Sequence, residues 1–342
     1  MLSEVGIFNL YLKFLPLYVL LSIGVIYSAI KVNANKLRSS FSKSQREVSI
    51  LSEAIMKVTV ELFLPFLIFE KTYRMFSLSE LKWLMICCFA YVLTMFIAAF
   101  VNFFLSRIGY GGRYLWFLMV FNNVTYAGIP VLDSLMGERA VFLAILLGVV
   151  HRFFQLSVGI AVLKLREKSS KDKLLKILKA AFLNPLFLSF VLAVILNVTS
   201  LKLPQKFMGT ISRIGDVAPT LMIVFLGMRI GEILFAGWFK NFKKVFLDLV
   251  VRLVSGFLIP TIVVIVLFKI FAISMLEFKT LFLLMSMPPA VFSYVLIEKY
   301  LKLEANKALM LVFGVTLLDF LVFIPIRIAF LSFLANWLNT AV

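Results

Sequence analysis

Ten apolar stretches of about 20 residues each, separated by short polar loops, constrain this sequence more than any single motif in it. They run at roughly 8–30, 50–69, 82–105, 115–136, 140–163, 180–200, 214–231, 245–268, 279–298 and 308–331. A segment of that length crosses a hydrocarbon core as an α-helix, because each residue rises about 1.5 Å and every backbone N–H and C=O is satisfied within the segment. The expected fold class is therefore all-α integral membrane protein, with ten transmembrane helices. Composition agrees: the 342 residues are 62% hydrophobic and include 37 Phe, whereas soluble domains are about 45–50% apolar.

A formal net charge of +18 raises nucleic acid as a partner. The Lys and Arg residues sit in short runs between apolar spans, however, so the lipid bilayer is expected and nucleic acid is not. The basic runs fall in alternate loops. Lys31, Lys36, Arg38, Lys43 and Arg46 follow the first span; Lys164, Arg166, Lys168, Lys171, Lys173, Lys176 and Lys179 follow the fifth; Lys240, Lys243 and Lys244 follow the seventh. The positive-inside rule then places these loops in the cytoplasm and both termini outside, in a multi-pass protein of the cell membrane. The first span lacks a basic start and a small-residue cleavage site, so it is expected to be retained. Cys87 and Cys88 are adjacent and His151 is the one histidine, which supports neither a disulfide framework nor a metal site. The cysteines read as small core residues, and neither metal nor cofactor is expected.

The fourth stretch, LWFLMVFNNVTYAGIPVLDSLM from Leu115 to Met136, is interrupted in its middle by Asn122, Asn123, Thr125, Gly128 and Pro130. Irregular backbone at membrane depth survives only against protein or a cavity. Pro130, which has no N–H, is expected to open a second half-helix whose amides face the bilayer middle; the alternative is a plain proline kink. The ninth stretch repeats the pattern in LLMSMPPAVFSYVLIEK, where Pro288 and Pro289 precede Ser293 and Tyr294. The basic loop 164–179 divides the ten spans into residues 1–163 and 180–342, five spans each, and an odd number per half makes similar halves inverted. Pro65 and Pro219, like Pro130 and Pro288, recur at nearly equal offsets, as an inverted repeat requires.

Interrupted segments at corresponding positions point to a transporter's binding site, and half-helix amino ends favour an anion. The expected substrate-binding set is Asn122, Asn123, Thr125, Gly128, Pro130, Pro288, Pro289 and Ser293, with Asn123 and Ser293 facing each other across a crossing of helices four and nine. No GxxxxGK[ST] loop is present for an ATP-driven pump. No HExxH or GxSxG is present for an intramembrane enzyme, so the chain is not expected to be an enzyme. A membrane sensor without transport remains a second reading.

The sequence also resembles the auxin efflux carrier family, which includes plant auxin exporters and bacterial permeases for malonate, malate and related acids. The likeness rests on NVTYAGIP at Asn123–Pro130 with LMGE at Leu135–Glu138, GDVAPTLMIVFLG at Gly215–Gly227, and MPPAVFSYVLIEKY at Met287–Tyr300. Val124 stands where that family commonly has threonine or another small residue. The resemblance implies the ten-helix inverted-repeat fold of the bile-acid sodium symporters. Helices 1, 2, 6 and 7 would form a scaffold domain, and helices 3–5 and 8–10 a transport domain in which helices four and nine cross. It further implies alternating access around a carboxylate, a small organic anion; a sodium-coupled symporter of the same fold is the alternative, and a homodimer is allowed.

Ionisable groups inside spans cost about 2.5–3.5 kcal/mol each on insertion scales and need partners or a pathway. Lys57 with Glu61 and Asp248 with Arg252 lie four apart and are expected to pair on their own helices. His151 is expected to bond a neighbouring helix, and with Asp216 and Asp319 it is a candidate for proton coupling. Arg327 is expected to snorkel to the outer interface.

Overall fold

A computed structural model describes residues 7–36, 41–165, 175, 179–235 and 242–340. Most of the basic loop 164–179 lies outside the described residues. The described residues are helical and contain no strand. Among the described residues six helical segments are long and apolar enough to cross a membrane: Phe14–Lys31, Glu80–Arg107, Glu138–Leu163, Gln205–Gly231, Val245–Phe271 and Lys302–Leu334. They fall on six of the ten expected spans. The other four depart from a single long apolar helix for local reasons. The second carries Lys57 and Glu61, the sixth shortens to Pro185–Val198 behind a kink at Leu183–Asn184, and the fourth and ninth are broken.

In chain order the helices are α1 (Ile7–Lys36), α2 (Phe41–Val58), α3 (Leu64–Met75), α4 (Glu80–Arg107), α5 (Arg113–Val120), α6 (Ile129–Met136), α7 (Glu138–Phe154) and α8 (Ile160–Leu163). They continue as α9 (Pro185–Val198), α10 (Gln205–Gly215), α11 (Val217–Phe235), α12 (Phe242–Phe271), α13 (Met275–Met285), α14 (Val291–Tyr300), α15 (Ala305–Leu318) and α16 (Ile324–Thr340). Among the described residues four π-helical turns interrupt them, at Thr59–Phe63, Val124–Gly128, Gln155–Gly159 and Asp319–Phe323. Three share one cause. Pro65, Pro130 and Pro325 each stand second in the helix that follows the turn. Proline removes the donor that would have reached the carbonyl four residues back, and in each case that carbonyl belongs to the π turn.

Two glycines let α1 and α11 touch along their backbones. A Cβ on Gly24 would stand 2.3 Å from the Val224 carbonyl oxygen, and one on Gly227 2.1 Å from that of Leu21. Close backbone approach through small residues is how helices gain packing in lipid, where burial of apolar surface drives little. Ser28 Oγ adds a bond to the Met228 carbonyl at 2.9 Å. The opposite face of α1, Leu15, Val19, Ile23, Ile26 and Ile30, is exposed, as a lipid-facing stripe at helical spacing should be. The π turn and α3 that continue α2 pack on α9 and α10, while α7, α12, α15 and α16 surround the two broken segments. The Glu138–Leu163 segment has 72% of its apolar window buried, the largest share of the six, so it runs through the interior beside the breaks.

Candidate functional site

The two breaks meet. After α5 the chain leaves helical geometry at Phe121, Asn122 and Asn123, and after α13 it does so from Ser286 to Ala290. The Asn123 N–H donates to the Pro288 carbonyl at 2.6 Å, and the Ala290 N–H to the Phe121 carbonyl at 2.9 Å. Asn122 and Pro289 thereby sit opposite each other in an antiparallel bridge. Pro288 and Pro289 cannot donate, so only the carbonyl of Pro288 and the N–H of Ala290 are available on that side. This reciprocal pairing satisfies backbone that would otherwise be stranded in hydrocarbon.

The carboxyl ends of α5 and α13 carry unpaired carbonyls and partial negative charge. Two buried arginines meet them. Arg252, on α12, donates from Nε to the Leu118 carbonyl at 2.7 Å and from Nη2 to Asn122 Oδ1 at 2.5 Å and the Met287 carbonyl at 3.0 Å. Asn122 Nδ2 in turn donates to the Met285 carbonyl at 2.6 Å. Arg327, on α16, donates to the Ser286 carbonyl and places Nη2 3.0 Å from Asp319 Oδ1. Gly256 makes this possible, since a Cβ there would lie 2.1 Å from Arg252 Nη1.

On the other side of the junction lies a small cavity walled by Asn122, Asn123, Val124, Thr125, Tyr126, His151, Arg152, Gln155, Ala290 and Phe292. Its room for a water centre is only about 10 Å³, enough for one molecule. Asn123 caps the turn that follows, accepting from the Tyr126 N–H at 3.1 Å. Arg152 Nη1 donates to Gln155 Oε1 at 3.1 Å, Gln155 Nε2 donates to Ser293 Oγ at 3.1 Å, and the Arg152 guanidinium lies 4.4 Å from the Phe292 ring centroid. Phe292 also walls a second cavity of about 540 Å³ with Glu53, Lys57, Glu61, Phe225, Arg229, Tyr294 and Glu298. That vestibule lies between α2, α11 and α14. At the far end of the bundle Lys71 Nζ contacts Glu138 Oε1 at 2.5 Å, tying α3 to α7.

The expected binding residues separate into groups. Asn122, Asn123 and Thr125 wall the small cavity. Pro288 and Pro289 form the junction. Ser293 is buried behind Gln155 and is not on the wall. Gly128 faces α13, where a Cβ would meet Leu284 Cδ2 at 2.5 Å. The half-helix does not open at Pro130: the helical turn already begins at Val124, and buried Pro130 stands second in α6. Likewise α14 begins at Val291, beyond Pro288. In the first half the helical turn thus begins nearer the junction than Pro130 indicates, whereas in the second it begins just past the prolines that form the junction.

Other expectations change as well. Among the described residues no ion pair joins Lys57 to Glu61 or Asp248 to Arg252. Asp248 accepts from Tyr114 Oη at 2.7 Å, and Arg252 is drawn away by the break. Arg327 is 2% exposed and does not snorkel, because the Ser286 carbonyl and Asp319 hold it inside. Cys87 is in the core, but Cys88 is exposed. His151 Nδ1 lies 2.8 Å from Tyr91 Oη on α4. Asp216 is exposed at the joint of α10 and α11, accepting from Ser212 at 3.3 Å. Among the described residues no cluster of His, Cys, Asp and Glu has metal-binding geometry.

Sequence reasoning missed Arg152, Gln155 and Tyr126. The signal was available: HRFFQ places a cation and an amide three apart in the middle of a span, where each is costly.

A model of the family described as membrane transport protein matches residues 13–326. The chain belongs to that family, the auxin efflux carrier family that its motifs resemble, and is a multi-pass membrane transporter. No curated protein matches it.

Proposed function

We propose that this member of the membrane transport protein family is a secondary carrier that moves a small organic anion, a carboxylate, across the cell membrane by alternating access. The carrying observation is the junction of the two breaks, with a donor-lined cavity on one side and a 540 Å³ vestibule beyond Phe292. Phe292 stands in the wall of both cavities, so its movement brings a substrate in the vestibule towards the buried donors, and a site closed at one end and approachable from the other is one state of an alternating cycle.

The reading assigns ten spans in two inverted five-helix halves. A scaffold of spans 1, 2, 6 and 7 is supported by the packing of α1 on α11 and of α3 on α9 and α10. The broken helices and their neighbours move against it. The vestibule lies at the end where Lys164 Nζ packs 4.7 Å from the Tyr300 ring. By the positive-inside rule that is the cytoplasmic end, which puts both termini outside.

Sodium coupling is the weaker alternative. Unwound carbonyls are where such carriers coordinate the ion, and here guanidinium groups already occupy those of Leu118, Ser286 and Met287. Of the titratable candidates, His151 alone walls the cavity, and we assign proton coupling to it.

The test is uptake of labelled acetate, phenylacetate, malonate and malate into sodium-free proteoliposomes. Saturable uptake of at least one supports the carrier; uptake that appears only when sodium is added supports the sodium-coupled alternative, and none in either buffer, with folded protein in the vesicles, favours the non-transporting sensor.

A further inference from the structure

The wall of the small cavity at the junction contains buried polar groups whose hydrogen bonds are unmade. Asn123 Nδ2 and Tyr126 Oη are buried without a hydrogen-bond partner. Arg152 is 7% exposed, and among the described residues no carboxylate lies within ion-pair distance of it. It has one bond to neutral Gln155 and the face of Phe292. Neither group neutralises its charge, and an unpaired buried cation is costly enough to call for a reason. Arg252 and Arg327 differ: they are spent on carbonyls and Asp319 on the other side of the junction.

We propose that Arg152 is the residue that pairs with the substrate's carboxylate, and that Phe292 is the cover that must turn aside to admit it. This rests on the reading that the junction carries an organic anion. Asn123 Nδ2 and Tyr126 Oη supply the second and third donors to the same group. The ring over the guanidinium holds the empty site dry and offers the cation its negative π face until a carboxylate replaces it. Phe292 walls both cavities, so its rotation joins the cell to the vestibule and uncovers the charge in one movement. A single uncompensated cation sets the capacity at one carboxylate per cell. The second carboxylate of a diacid remains in the vestibule, whose wall carries Glu53, Glu61 and Glu298 beside Lys57 and Arg229, so a monoacid is favoured over a diacid.

A structural role predicts something else. If Arg152 only ties α7 to α14 through Gln155 and Ser293, its removal lowers stability and leaves affinity alone. The experiment measures half-saturation for acetate, phenylacetate, malonate and malate, and melting temperature, on the full-length wild type and on Arg152→Lys and Arg152→Gln. Half-saturation at least tenfold higher in Arg152→Gln, an intermediate value in Arg152→Lys and an unchanged melting temperature are expected. Unchanged half-saturation in Arg152→Gln overturns the assignment while the carrier reading stands. No uptake by the wild type, with or without sodium, overturns both. If Arg152→Gln does not fold, Phe292→Ala decides: phenylglyoxal modification of Arg152, located by mass spectrometry, is expected to be suppressed by the transported acid, and modification indifferent to that acid overturns the assignment.

Discussion

The main-chain N–H of Asn123 donates to the carbonyl of Pro288 at 2.6 Å, so two helix interruptions far apart in sequence share one hydrogen-bonded junction. Neither break can be moved without the other. The surfaces on its two sides differ in charge logic: Arg252 and Arg327 cap carbonyls on one, and unfilled donors face a cavity on the other.

Arg252→Met should destabilise the protein by more than about 3 kcal/mol, because Asn122 Oδ1 and the carbonyls of Leu118 and Met287 lose their donor together. Gly256→Ala should do part of the same damage without touching the charge, since its methyl group collides with the guanidinium. Thermal unfolding in detergent checks both, and a Gly256→Ala melting temperature equal to wild type would contradict the brace.

Asp319 and Arg327 should behave as one unit. Asp319→Asn leaves the buried Arg327 guanidinium without its carboxylate and should lower the melting temperature markedly. Adding Arg327→Met should cost less than the sum of the single changes, as coupled sites do. Strict additivity in this double-mutant cycle would show that the 3.0 Å contact carries no coupling.

At the end away from the vestibule, Glu138→Gln removes the ion pair with Lys71. Glu138 is largely exposed, so the stability change should stay below about 1 kcal/mol. Opening of that end should become easier, read as faster labelling of Ser134→Cys by an impermeant thiol reagent in a background without native cysteines. Labelling at an unaltered rate would remove Lys71–Glu138 as a latch.

Much of this was legible in the sequence, for identifiable reasons. Span lengths and loop charges report directly on a bilayer, and paired Asn and Pro interruptions report on backbone that must find partners elsewhere. What sequence concealed were partners chosen across helices. The spacing of Asp248 and Arg252 fits a same-helix pair, yet Tyr114 and the α5 break outcompete it. Arg327 lies near a helix end by count, but Ser286 and Asp319 hold it inside. Pro130 marks a break, but its missing N–H leaves the Tyr126 carbonyl four residues earlier without its donor, so the disturbance falls in the Val124–Gly128 turn. Arg152 was readable as a mid-span cation; its role depends on which face of α7 meets the junction, and only packing fixes that.

His151 walls the cavity beside Arg152 and touches Tyr91. A protonated His151 adds positive charge next to the proposed carboxylate, so anion binding and proton uptake reinforce each other. Uptake by the wild type should rise as pH falls, and His151→Gln should flatten that rise. A variant with the wild-type pH profile would take the coupling role away from His151.

The most direct test of the account is Asn123→Ala, with substrate affinity and melting temperature measured on the same purified protein. Asn123 Nδ2 is a buried donor with no partner, and a hydrogen bond to a charged group contributes about 1.5–3 kcal/mol. The account predicts at least about tenfold weaker binding of the transported carboxylate, with a stability loss of no more than the roughly 1 kcal/mol that removing the Asn123 cap on the Tyr126 N–H entails. Unchanged affinity with a lowered melting temperature would mean that the junction serves only the fold.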